Sequence, residues 1–84
     1  MNRYMLAFTW NKAINPMKAG AEHEQVTKLI DEGKMEQMFL AGDRARGWLV
    51  MLADSPEAAL ESAQTLPFYP SMAIETTPLV QTYP

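Results

Sequence analysis

The chain has 84 residues, 48% of them hydrophobic, and a formal net charge of −3. Its seven Lys and Arg are scattered apart from Arg44 and Arg46, which is not the basic footprint of a nucleic-acid binder. With no cysteine and one histidine, it has no disulfides, no cysteine-ligated metal and no histidine-rich zinc site within one chain.

A domain this short buries only about 60% of the surface its unfolded chain exposes, so it needs a staple or a partner. With disulfides and metal excluded, the expected partner is a second copy, giving a homodimer or a higher homo-oligomer. Asn2, Arg3 and Tyr4 lead into a run broken by Thr9, Asn11 and Lys12, which is not a secretory signal, and no stretch reaches membrane-spanning length. The expectation is a soluble, cytoplasmic protein with one domain over residues 1–84.

Arg3 to Asn11 reads as a first strand, with Tyr4, Leu6, Phe8 and Trp10 on one side and Met5, Ala7 and Thr9 on the other. Asn15-Pro16 marks a turn. A helix is expected from Met17, with Val26, Leu29 and Ile30 as its apolar stripe beside Glu22, Glu24 and Lys28. Gly33 suits its end, because glycine takes the left-handed cap conformation without a Cβ penalty. A second strand from Met35 to Ala41, a connection over Gly42–Gly47 and a third strand from Trp48 to Ala53 follow.

Ser55 is placed to cap a second helix, with Pro56 at its first position, and Ala59, Leu60, Ala63 and Leu66 form its buried stripe. Pro67 and Pro70 lock φ and bias the residue before each away from the helical region, so that helix ends near Leu66. From Met72 the chain is extended, with Met72, Ile74 and Thr76 on one side and Ala73, Glu75 and Thr77 on the other. The order βαββαβ predicts an α+β, ferredoxin-like fold: a four-stranded antiparallel sheet with both helices on one face. The first and third strands are apolar on both sides, so the opposite face needs a cover, most simply a second subunit.

Four glycines form no phosphate loop or dinucleotide fingerprint, so no cofactor is expected. Chemistry then falls to acids, bases and hydrogen-bond donors. Glu75 stands mid-strand, where a desolvated carboxylate serves as a general base, although a solvated edge position is the commoner fate of a glutamate. His23 is a candidate proton shuttle or a solvated helix residue. Arg44 and Arg46 offer guanidinium forks for a substrate carboxylate or a solvated hairpin tip. Tyr4, Trp10, Phe68 and Tyr69 line an aromatic pocket or pack the core.

The run Leu66-Pro67-Phe68-Tyr69-Pro70, followed by Met72, Ile74 and Glu75, resembles the muconolactone isomerase family, whose members end with a helix, a Leu-Pro-aromatic-aromatic-Pro turn and a short strand. Weaker agreement extends over nearly the whole chain, including Glu32-Gly33 and Ser55-Pro56-Glu57-Ala58. The resemblance implies a dimeric α/β barrel, often assembled into larger rings, and a role in aromatic compound catabolism. It also implies a cofactor-independent shift of a proton and double bond in a small carboxylate-bearing lactone, an acidic metabolite. In that reading Glu75 or His23 carries the proton, Arg46 or Arg44 anchors the carboxylate, and Tyr69 is a donor or, with Phe68 and Trp10, a pocket wall. The chain departs from the family between Met35 and Leu52, which contain neither histidine nor tyrosine. A non-catalytic ligand-binding or assembly protein of the same fold is the second reading, and a cofactorless oxygenase-like member of the wider barrel group is the third. The Phe68-Tyr69 turn is expected to roof a pocket holding Glu75 and one of the two arginines.

Overall fold

The computed structural model describes residues 1–81; the last three residues of the expected 1–84 unit lie outside them. The order is β1 (Asn2–Trp10), a 3-10 turn (Pro16–Lys18), α1 (Ala19–Asp31), β2 (Met35–Leu40), β3 (Arg46–Ala53), α2 (Pro56–Ala63), a second 3-10 turn (Tyr69–Ser71) and β4 (Met72–Leu79). The strands form one antiparallel sheet in the order β2-β3-β1-β4, and both helices pack on one face. This is the α+β, ferredoxin-like arrangement expected from the sequence.

Local chemistry sets the boundaries. α1 begins at Ala19 rather than Met17 because Asn15 Oδ1 accepts the Met17 N–H at 3.0 Å and holds Pro16–Lys18 in a 3-10 turn. α1 ends in a Schellman motif: Gly33, at φ 74°, donates to the Ile30 carbonyl at 3.0 Å, and Lys34 donates to the Leu29 carbonyl at 2.9 Å. Ser55 caps α2 through a 3.1 Å bond from the Ala58 N–H. α2 stops at Ala63 rather than Leu66 because its last turn tightens, with Thr65 donating to the Ser62 carbonyl and Leu66 to that of Ala63.

The core lies between sheet and helices. Tyr4, Leu6 and Phe8 of β1 and Leu49, Met51 and Ala53 of β3 meet Leu29 of α1, Ala59 and Ala63 of α2, and Met35, Leu66 and Met72. Strand alternation then sends Met5, Ala7 and Thr9, Trp48, Val50 and Leu52, and Ala73, Glu75 and Thr77 to the opposite, outer face. There Arg3 makes a two-pronged ion pair with Glu36, at 2.9–3.1 Å, reaching over β3 from β1 to β2.

Candidate functional site

On the outer face, Glu75 of β4 stands opposite Ala7, which stands opposite Trp48; one row along, Ala73 stands opposite Thr9, which stands opposite Arg46. The residues between the acid and the arginine are therefore small. Two strand spacings of about 4.8 Å separate β4 from β3, so the two charged side chains flank a trough over Ala7, Thr9 and Ala73. The depression holds about 400 Å³ and is lined by Glu75, Arg46, Trp48 and these small residues. That volume suits a small ligand. Among the described residues, neither the Glu75 nor the Arg46 side chain is engaged in a hydrogen bond or ion pair. Two side chains of opposite formal charge thus flank the trough with no partner among the described residues.

The other candidates lie elsewhere. His23 is exposed on α1, on the helix side of the sheet, and the structure does not bring it to the trough. Arg44 occupies the β2–β3 connection at φ 62°, with its carbonyl accepting the Trp10 Nε1–H at 2.8 Å; its side chain is exposed and does not line the trough. Trp10 meets Phe8 and Phe68 edge to face, with ring centroids 5.0 and 6.0 Å away. Phe68 and Tyr69 pack against the helix-side core, so the expected roof over Glu75 does not form. The physical reason is parity: Met72 and Ile74 follow the turn inward, and Glu75, one residue on, must point out.

Glu22 is the residue that the sequence alone does not bring forward. It is 6% exposed in α1, with Oε1 accepting the Phe68 N–H at 2.8 Å and Oε2 buried without a hydrogen-bond partner. Burial pushes its carboxyl above the usual glutamate value, and the Phe68 amide opposes that rise. The available signal was spacing: Glu22 precedes Val26 and Leu29 at i+4 and i+7, on the apolar stripe. Among the described residues, no cluster of His, Cys, Asp and Glu could hold a metal ion, and no helix is long and apolar enough to cross a membrane.

The family model described as "Muconolactone delta-isomerase" matches residues 8–84. A solved crystal structure of muconolactone isomerase superposes with a TM-score of 0.74 at 23% identity, covering 95% of this chain and 90% of that one. At that identity the likeness speaks for the fold. No curated protein matches the sequence significantly.

Proposed function

The chain belongs to the muconolactone delta-isomerase family, and from that premise we propose that it is a cofactor-independent isomerase moving a proton in a small carboxylate-bearing lactone. Glu75 takes the proton next to the lactone carbonyl and returns one at the new position, while Arg46 holds the substrate carboxylate as a bidentate partner. The observation that carries this reading is the placement of an unpaired carboxylate and an unpaired guanidinium on the rim of one trough floored by Ala7, Thr9 and Ala73. Small floor residues admit a flat ring between the two charges, and Trp48 gives it an apolar wall.

The trough is open in a single chain, and proton abstraction beside a carbonyl gains from exclusion of water. A second copy laid sheet to sheet on the outer face would close it. Such a homodimer, alone or within a larger ring, in the cytoplasm, completes the proposal, with residues 1–84 acting as one domain.

The test is isomerisation of a muconolactone-type substrate followed by the shift of its double bond in ultraviolet absorbance. Glu75→Gln keeps the shape but cannot accept the proton, so turnover should fall by at least about 100-fold, the lower range for a general base. Arg46→Met should chiefly raise KM. Full activity of Glu75→Gln ends the assignment. Ligand binding without turnover in the wild type would favour the non-catalytic reading, which the trough's open form also supports.

A further inference from the structure

The proposed reaction makes no use of Glu22, although it is the one charged residue buried among the described residues. Its Oε1 bond to the Phe68 amide joins α1 to the segment between α2 and β4, across 46 positions of sequence. That segment has few donors of its own, because Pro67 and Pro70 carry no N–H; its internal bonds are Tyr69 N–H to Leu66 and Ser71 N–H to Phe68. Phe68 in turn meets the Trp10 ring, and Trp10 Nε1 donates to the carbonyl of Arg44. A continuous line of contacts thus runs from Glu22 through Phe68 and Trp10 to the β2–β3 connection, two residues from Arg46.

We propose that Glu22 is a proton-controlled clasp on the Leu66–Ser71 turn, seating the turn against α1 when its carboxyl is neutral and loosening it when the carboxyl is ionised. The geometry supplies the reason. The Phe68 bond by itself favours the ionised form, but burial outweighs it: an ionised carboxylate needs donors for both oxygens, and here one oxygen has a single amide and the other, fully buried, has none. Among the described residues no cation pairs with it. The titratable groups on and just before α1 are Lys18, His23, Glu24, Lys28 and Asp31, with Lys12 after β1 and Tyr69 in the turn; among the described residues none forms an ion pair or hydrogen bond with Glu22. Gln25 beside it is occupied with Thr65 at 2.8 Å.

Because burial raises the folded-state value, the carboxyl's contribution to stability is fully present below the unfolded glutamate value and is lost as pH rises through the folded one. The clasp therefore tightens as pH falls and relaxes as pH rises through the folded-state value. It stands independently of the proposed reaction, since its readout needs no substrate.

The experiment is an NMR titration of the whole protein, from below the ordinary glutamate range to above neutrality. It follows the Glu22 side-chain carboxyl carbon, the Phe68 amide and the Trp10 indole N–H. The expected result is a Glu22 midpoint above the ordinary glutamate value, with the Phe68 amide shift following the same midpoint and its hydrogen exchange, corrected for intrinsic pH effects, accelerating above it. In Glu22→Gln the Phe68 amide should lose that pH dependence, and the variant should melt higher than wild type at neutral pH, with the gap closing in acid. A Phe68 amide that ignores the Glu22 titration, or a Glu22 midpoint in the ordinary range, overturns the clasp. The wild-type titration decides this even if the variant fails to fold.

Discussion

Gly47 lies opposite Phe8 across β3 and β1, and a Cβ added there would come within 2.5 Å of Phe8 Cζ and 2.6 Å of the Phe39 carbonyl oxygen. The Phe39 oxygen belongs to the β2–β3 ladder and cannot swing aside, so Gly47→Ala must displace either the strand or the Phe8 ring. The expected loss is about 1–3 kcal/mol, the usual range for overpacking, read as a lower urea midpoint. Arg44 presents the reverse case. Its φ of 62° is the left-handed region that a side chain resists, and Asp43 Oδ1, accepting the Ala45 N–H at 2.9 Å, helps hold the turn. Arg44→Gly should therefore raise stability by roughly 1 kcal/mol in a thermal melt. It should also leave ligand binding unchanged, since the Arg44 side chain lies off the trough. Arg44 and Arg46 look alike in sequence, two residues apart in one connection. Only the β1–β3 register, which sets Arg46 opposite Thr9, separates them.

Elements with local determinants are the ones legible in the chain. Ser55 and Gly33 cap the helices through bonds to neighbours within a few residues, and Pro56 opens α2 where its missing N–H costs nothing, so their roles follow from residue type and spacing. Ser55→Ala should remove the bond to the Ala58 N–H and lower stability by about 1 kcal/mol in denaturant unfolding. What the sequence hides is anything set by contact across elements. The alternation of β4 was plain, but its inward side is settled by Met72 and Ile74 meeting the core, and that choice turns Glu75 away from the aromatic turn just before it. Glu36 was likewise silent, since its partner Arg3 lies 33 positions away. The Arg3 hydrogen bond holds the Glu36 carboxyl below its ordinary value. Its contribution is thus present above the unfolded glutamate value and lost as pH falls through the lower folded one. Both side chains are exposed, so the coupling should be small and salt-sensitive: a double-mutant cycle on Arg3 and Glu36 should show less coupling in high salt and none once Glu36 is protonated.

At the scale of the whole molecule the sheet's two faces are unequal in cover but not in character. Two short helices bury the inner face, while the outer face carries Met5, Trp48 and Leu52, each only partly buried, with no layer of the described residues above them. Phe39 of β2, opposite Trp48, is 46% exposed there. The β4 edge is less inviting for a partner, since Pro78 interrupts the row of donors that strand addition would need. A second copy is therefore expected on the outer face rather than along that edge, which would also close the trough between Glu75 and Arg46. Phe39→Asp tests this without disturbing the protomer's own core, because the side chain is already half in solvent there. If the face is an interface, the introduced carboxylate would be buried unpaired, and sedimentation velocity should show wild-type dimers or larger rings giving way to a smaller, less stable species. A wild-type protein that sediments as a compact monomer at micromolar concentration, with Phe39→Asp indistinguishable from it, would leave the trough open to solvent and remove the water exclusion on which the isomerase mechanism depends.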